Sequence, residues 1–495
     1  MKKSKHLKSK TSTKKKVLIS VANKDGIVEF ARTLKELGFE IIATGGTQKL
    51  LKENDIDAVK ISEYTGGTES ERVKTLSQKI AKEILETGEI GLVVCNLYPF
   101  FAQKNKILDE MIEFIDIGGV TLIRAGAKNY QHVGVVYDPG QYHAVIEALK
   151  ENEFTVDYRL KLAREAFDYI AWYDTVIADY LSMQIDLTER RYFSTGAEIF
   201  IPMRYGENPH QKAAFYLNQL FQEEFKIHGG KQISYNNILD AEVAFGAANE
   251  FSEEIACAVI KHQTPCGVAI GSNQAEAFER AYMADSLSAF GGIVGLNRTV
   301  TPETAELIKK HFFEVVIAPD YDAKALEVLQ TKKNLRTVQI SPNLIQPLIY
   351  RPVFSGILIQ ERDKTGYTDW GVVTKRQPTE YETAALKFAW KVVKWTKSNS
   401  IVIAIKGRTV GIGAGQTSRV GAVEIAVKQA GHQQAGIVMA SDAFFPFRDG
   451  IDAAAKGGVT AVIEPGGSKR DDEVIAACNE YDIAMVFTHM RHFRH

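Results

Sequence analysis

The chain is 495 residues long, 45% hydrophobic and 24% charged, which suits two or three soluble globular domains. Its formal net charge of -1 hides an asymmetry, because residues 1–16 hold eight lysines and no acid, leaving about -9 on the body. That body excludes a grip on nucleic acid through a general electrostatic field, and no apolar run approaches the ~18 residues needed to cross a bilayer. The Lys-rich start is expected to be disordered. It reads as a solvated extension, with contact to RNA or a membrane surface as the alternative. It is no secretory signal, since Val17-Leu18-Ile19 is soon interrupted by Asn23, Lys24 and Asp25. Cys95, Cys257, Cys266 and Cys478 lie far apart, as expected of reduced thiols in a cytoplasmic protein without a structural zinc.

From Lys16 to about Tyr180, strand and helix signals alternate. Val17–Val21 is a short apolar run; Ile27, Phe30, Ala31, Leu34 and Leu37 follow at helical spacing, and Gly38 stops the helix. Ile41-Ile42-Ala43, Leu92–Asn96 and Val133–Tyr137 read as further strands. This rhythm predicts an α/β fold with a parallel sheet covered by helices. Tyr158–Leu181 reads as one long amphipathic helix, and Thr188-Glu189-Arg190-Arg191 as the polar break between domains. A second α/β region follows, with strands at Ala256–Ile260, Gly292–Leu296, Ile401–Ile405, Gly436–Met439, Val459–Ile463 and Ala484–Phe487. Thr331–Pro347 reads as an interior connection.

Several strand ends carry chemistry. Ala43-Thr44-Gly45-Gly46-Thr47 predicts a strand, a Gly-Gly loop and a helix starting near Gln48, where free N–H groups and the helix dipole favour a phosphate. Ser20 and Lys24 could reach the same anion. A plain turn capped by a Thr remains the other reading. Tyr98 in Asn-Leu-Tyr-Pro-Phe, Asp116 before Gly118-Gly119, Lys74 with Thr75, and Lys128 could jointly surround that phosphate site. Further on, Lys261-His262-Gln263-Thr264-Pro265-Cys266-Gly267 follows a buried strand, so a Lys and a His emerge together at its end. A neutral His can take a proton and a Lys can stabilise developing negative charge; two solvated side chains are the alternative. Gly411-Ile412-Gly413-Ala414-Gly415-Gln416 lacks the third glycine of a dinucleotide fingerprint. Asp442–Asp449 mixes three phenylalanines with charges and a proline, suited to a flat aromatic ligand or to a lid over the core. Pro265-Cys266 lacks the second cysteine of a zinc deaminase, since Ala269 stands there.

In order, ISVANKDG, ATGGT, RVKTL, NLYPF, IDIGGVTL, RAGAKN, RYGENPHQ, SYNNILDA, KHQTPCG, SAFGG, SNS, GIGAGQTSR, SDAFFPFRDG and MRHFRH resemble the bifunctional aminoimidazole carboxamide ribonucleotide (AICAR) formyltransferase/IMP cyclohydrolase family. The resemblance implies a methylglyoxal-synthase-like cyclohydrolase domain over residues 16–187, after the tail 1–15. It implies a transformylase of two cytidine-deaminase-like subdomains, without zinc, over 188–495. It implies a homodimer with transformylase sites at the subunit interface, formyl transfer from 10-formyltetrahydrofolate to AICAR, and dehydrative closure to inosine monophosphate (IMP).

By motif, the resemblance implies Lys261 and His262 as the transformylase catalytic pair. Arg204, Tyr205, Asn237 and Arg419 would hold the nucleotide, with Asn399, Phe444, Asp449 and Arg491 on the folate side. Lys74, Tyr98, Asp116 and Lys128 match the cyclohydrolase positions, with Ser20, Lys24, Thr44, Gly45, Gly46, Thr47 and Thr75 at its nucleotide. The sequence departs from the family after Leu76: Ser77–Lys82 replaces a His-Pro and His-Gly-Gly segment, and the stretch to Asn96 is short. A transformylase joined to a degenerate cyclohydrolase, serving as a nucleotide-binding or structural module, is therefore the alternative expectation.

Overall fold

The computed structural model describes residues 15–67, 75–100, 107–183, 191–345, 347–431 and 436–495. The Lys-rich tail through residue 14, Lys74, and positions 188–190 of the polar break lie outside the described residues. The chain divides into two compact units, Met1–Glu198 with Leu217–Leu220, and Ile199–Tyr216 with Phe221–His495.

In the first unit, apolar runs form β1 (Lys16–Val21), β2 (Glu40–Ala43), β3 (Val59–Lys60), β4 (Ile90–Asn96) and β5 (Gly134–Val136). They align in the order β3-β2-β1-β4-β5, every pair parallel. A parallel sheet is covered on both faces, which is why Val17, Leu18 and Ile19 are all fully buried although alternation would expose one face. The chain leaves β1 towards β2 and leaves β4 towards β5. The carboxyl ends of β1 and β4 therefore flank the crevice in which such sheets bind ligands. The helix Ile27–Glu36 buries Ile27, Phe30, Ala31 and Leu34. The long helix spans Val156–Met183 and buries Leu162, Ala166, Ile170, Tyr173 and Ile177 along one stripe. The helix after β2 begins at Gly45, three residues before the expected Gln48. Glycines are poor helix formers, but here Thr44 caps the helix in an extended conformation and its carbonyl accepts from Gln48 N at 2.8 Å.

In the second stretch of chain, β6 (Glu198–Met203) pairs with β7 (Ala213–Leu217), and β14 (Leu348–Val353) with β15 (Gly356–Glu361). The remaining strands form one twelve-stranded sheet. They are β8 (Phe225–Gly229), β9 (Ile255–Lys261), β10 (Thr264–Gly271), β11 (Ile293–Leu296), β12 (Val315–Ala318) and β13 (Arg336–Ile340). After them come β16 (Gly371–Val372), β17 (Ile401–Ile405), β18 (Arg408–Gly413), β19 (Ile437–Ser441), β20 (Val459–Glu464) and β21 (Ala484–Phe487). The order is β16-β21-β20-β19-β17-β18-β10-β9-β11-β12-β13-β8.

The sheet is an internal repeat. Each half runs helix, hairpin, helix, strand, helix, strand, helix, strand, from Tyr235 to β13 and again from Glu380 to β21. The strand orders match as well: β10-β9-β11-β12-β13 and β18-β17-β19-β20-β21. The halves join where β10 meets β18 antiparallel, Ala269 opposite Arg408. The expected connection Thr331–Pro347 instead contains β13, parallel to β12 and antiparallel to β8. Its charge concealed it: Arg336 is buried, paired with Glu314 and donating to the carbonyls of Lys231 and Gln232. Gly411 and Gly413 of β18 are a packing device. A Cβ on either would sit 2.1 Å from Ala426 O or 1.9 Å from Ala422 O, so only glycine lets the helix Arg419–Ala430 lie this close.

Candidate active sites

At the carboxyl edge of the five-stranded sheet, Ser20, the next-to-last residue of β1, lies beside Cys95 of β4. Lys24 follows in the next loop; its Nζ donates to Val21 O and to Thr47 Oγ1, the latter at 2.9 Å. It thereby bridges β1 to the first turn of the helix Gly45–Glu53, where Thr44 and Thr47 are buried. That turn presents the backbone N–H groups of Gly45, Gly46 and Thr47, which have no intrahelical acceptor. A side chain that sequence reasoning missed organises the loop. Asn96, at the end of β4, accepts from Ala22 N (2.6 Å) and Asn23 N (2.9 Å), and donates to Asn23 O (3.0 Å).

Two residues further, Tyr98 is 45% exposed, and its N–H donates to Asp116 Oδ2 at 3.4 Å. Asp116 Oδ1 accepts from Gly119 N at 2.7 Å, at the start of the helix Gly118–Lys128. Burial pushes the Asp116 carboxyl up, against these two backbone donors. A Cβ at Gly119 would lie 2.8 Å from Asp116 Oδ2, so the second glycine leaves room for the carboxylate. Thr75 is buried beside Gly118, and its Oγ1 has no hydrogen-bond partner among the described residues. Tyr98, Asp116 and Thr75 thus gather at one end of the helix. Lys128 does not join them: it occupies the last turn, about 15 Å along the axis at 1.5 Å per residue. There it lines an open cavity with Leu85, Arg124, Arg164 and Phe167.

In the twelve-stranded sheet the topology collects the remaining motifs on one edge. β9 ends at Lys261, and β11 starts beside that end, Ile293 opposite Ile260. The antiparallel β10–β18 contact turns the end of β18 to the same edge, and there Gly413 pairs with Ile401 at the start of β17. Ser441, the last residue of β19, also faces Ile401. The parallel β20 and β21 end there too, at Glu464 and Phe487. The edge therefore carries Lys261-His262, Ser398–Ser400, Gly413–Arg419, Asp442–Asp449 and the C-terminal segment after Phe487.

His262 and Gln263 form the two-residue loop of the β9–β10 hairpin, with φ of 54° and 59°. Left-handed backbone at a residue other than glycine costs about 1–2 kcal/mol. His262 is exposed. Lys261 Nζ donates to Phe290 O at 2.8 Å. Arg204 is exposed, stacks over the Tyr205 ring at 4.6 Å and donates to its hydroxyl at 2.8 Å. Asn237 is buried in a capping box with Ser234, and the neighbouring Asn236 donates to Glu207 O at 3.2 Å, tying the Arg204 loop to the same helix.

Arg419 and Asn399 meet directly. The Arg419 guanidinium donates to Asn399 Oδ1 (2.8 Å), to Ser400 O (3.1 Å) and to fully buried Asp442. Phe444 is 38% exposed two residues past Asp442. Asp449 opens the next helix and accepts from Gly450 N at 2.7 Å, while Arg491 lies exposed over Phe493. Beneath them, Glu464 is fully buried. Its Oε2 accepts from Gly466 N at 3.1 Å, and burial pushes its carboxyl up to about 8. Among the described residues, no group of three or more His, Cys, Asp or Glu side chains could hold a metal ion.

Residues 126–429 match the family described as AICARFT/IMPCHase bienzyme, and residues 26–121 match the MGS-like domain. The chain is 48% identical to the bifunctional purine biosynthesis protein PurH of Caldicellulosiruptor saccharolyticus, over 97% of this chain and all of that protein. It is 47% identical to PurH of a Thermoanaerobacter species, again over 97% of this chain and all of the relative. These alignments run to 513 and 508 residues, longer than the 495-residue chain, so the relatives hold residues without counterpart here. The chain therefore belongs to the AICARFT/IMPCHase bienzyme family and is a bifunctional enzyme of purine biosynthesis, both formyltransferase and IMP cyclohydrolase.

Proposed function

We propose that the twelve-stranded unit transfers a formyl group from 10-formyltetrahydrofolate to the 5-amino group of AICAR, and that the five-stranded unit closes the formylated product to IMP. The observation that carries this reading is the meeting of the Lys261-His262 turn with four other motifs on one sheet edge. The AICAR amine attacks the formyl carbon, and a tetrahedral oxyanion forms. His262 accepts the amine proton and Lys261 stabilises the oxyanion. Collapse breaks the bond from the formyl carbon to N10, and N10 takes the proton held by His262, which releases tetrahydrofolate and restores the neutral imidazole. Arg204, Tyr205 and Asn237 hold the nucleotide. Arg419 joins them at the nucleotide and donates to Asn399, which with Phe444, Asp449 and Arg491 forms the folate side.

In the cyclohydrolase, the carboxamide nitrogen attacks the formyl carbon of the same molecule and water leaves. The reacting atoms are already covalently tethered, so the protein mainly orients them. Ser20, Lys24, Thr44 and Gly45–Thr47 hold the phosphate, with Thr75 at the nucleotide. Tyr98 orients the amide and Asp116 manages protons, with Lys74 in the same family set. The position of Lys128 gives it no part in that set within one chain. Lys24→Ala is expected to raise the Km for the formylated nucleotide about tenfold while leaving kcat within about threefold, since it removes binding common to ground and transition states. Titration calorimetry with IMP checks it, and unchanged affinity would remove Lys24 from the phosphate site.

The enzyme works as a cytoplasmic homodimer, in keeping with its four buried free cysteines. An isolated two-stranded hairpin is marginal in water, yet β14–β15 exposes Tyr350, Phe354, Ile357, Leu358 and Ile359. Beside Lys261, Leu287 and Phe290 are also exposed. Both patches suit burial against a second copy. Phe354→Asp with Ile357→Asp is expected to give a monomer in sedimentation velocity; a persistent dimer would take the hairpin out of the interface.

The test of the whole reading is chromatography of purified protein with AICAR and 10-formyltetrahydrofolate. Prompt IMP, faster than uncatalysed closure, is the expected result. Accumulation of formylated AICAR would contradict a competent cyclohydrolase, and no consumption would contradict the transformylase assignment.

A further inference from the structure

The His-Gln turn at the end of β9 is unusual in its own fold. Two-residue hairpin loops with both residues left-handed normally take Asn-Gly or Gly-Gly, whose backbones adopt that conformation at little cost. The second half of the sheet holds a direct comparison. Its equivalent hairpin, β17–β18, turns through Lys406-Gly407, where only Gly407 is left-handed, at φ 75°. The first half places a His and a Gln where glycine would fit, so another interaction must hold the turn.

That interaction is Asp240. Its carboxylate accepts from both turn N–H groups, His262 N at 3.0 Å on Oδ2 and Gln263 N at 2.7 Å on Oδ1. Successive left-handed residues point their N–H groups to one side and form a concave anion site. Here a side chain of the same protein fills it. Asp240 is half-buried on the helix Tyr235–Asn249, one turn past Asn237. Lys397, next to the Ser398–Ser400 segment, is a cation acting on it. One carboxylate thus links the helix that carries Asn237 to the turn that carries His262. In the second half the corresponding contact is only a 3.5 Å bond from Lys406 N to the Tyr381 hydroxyl.

We propose that Asp240 is the positioning residue of the transformylase: by clamping both N–H groups of the His262-Gln263 turn, it holds His262 in the left-handed conformation that aims its imidazole at the reacting amine. The inference rests on the reading of His262 as the proton acceptor.

Formyl transfer is measured in the full-length enzyme for Asp240→Ala, for Asp240→Ala with Gln263→Gly, and for His262→Ala. Releasing the turn is expected to lower kcat about 100-fold, the usual scale for a displacement of roughly 1 Å at a catalytic group, with the Km for AICAR within about threefold. Glycine at 263 adopts the left-handed conformation without a clamp. The double variant is therefore expected to recover kcat to within about tenfold of wild type. Normal kcat in Asp240→Ala would overturn the proposal, as would a loss that glycine does not restore. If Asp240→Ala does not fold, Asp240→Asn removes the charge and one acceptor while keeping the shape, and is expected to lose about tenfold in kcat; full activity there would overturn the proposal. His262→Ala separates the two ideas, since near-normal transfer in it refutes the base assignment whatever Asp240 does.

Discussion

Replacing His262 with alanine is expected to lower kcat for formyl transfer by about 100-fold to 10,000-fold, the range a positioned general base contributes. The local structure argues for a selected conformation rather than an incidental strand end. An exposed His sits in left-handed backbone, directly after a lysine whose Nζ is anchored at 2.8 Å on Phe290 O. Strain of this kind persists where the surroundings over-determine it, and it concentrates at functional sites. The Km for AICAR should change little, because Arg204, Tyr205 and Asn237 remain. Cyclohydrolase turnover of synthetic formylated AICAR should be unaffected, since it depends on the other unit, and it serves as a control within one chain. A His262→Ala enzyme with more than about a third of wild-type kcat would end the assignment of this residue as base. Lys261→Met should also lose formyl transfer, through the oxyanion rather than the proton.

Glu464→Gln is expected to stabilise the transformylase unit, increasingly so as pH rises. The Glu464 carboxyl is fully buried, and burial raises it from the model-compound value of 4.5 to about 8. The folded protein therefore keeps this proton up to about pH 8, while the unfolded chain releases it near 4.5. Between those values the unfolded state binds fewer protons, so stability falls as pH rises, by about 1.4 kcal/mol per unit. At pH 7 the accumulated cost is on the order of 3 kcal/mol. Glutamine keeps an acceptor for Gly466 N and carries no charge. A gain of that size should raise the melting temperature of this unit by roughly 5–10 °C at pH 7 and by much less at pH 5. Calorimetric melts at the two pH values decide it, and parallel shifts at both would contradict the buried-proton account. Because Arg419 acts electrostatically on Glu464, formyl transfer in the same variant reports whether the edge tolerates the change.

Strand identity was legible in the sequence because strands buried on both faces are continuous apolar runs. Ile401–Ile405 and Ala484–Phe487 were read to the residue. β13 was not legible, because Arg336 breaks the apolar pattern and its neutralisation by Glu314 comes from elsewhere in the chain. The helix start at Gly45 was read three residues late, since intrinsic propensity argues against glycine where the end of β2 enforces the turn. The internal repeat is implied by the family resemblance and not by any local pattern: the two halves match in element order and strand order.

The residue types, their motifs and their places at strand ends were determined by the sequence by itself, and through them the family, the two chemistries and nearly every candidate side chain. Which of those side chains meet was decided only by the tertiary structure. The β10–β18 pairing brings the Gly413–Arg419 segment and the β9 turn to one edge although about 150 residues separate them, a separation no local pattern encodes. The rise of a single helix parts Asp116 from Lys128. Asp240 and Asn96 escaped notice for the same reason: their partners are backbone N–H groups of distant turns, and a carboxylate or amide carries no mark in sequence of the turn it will hold.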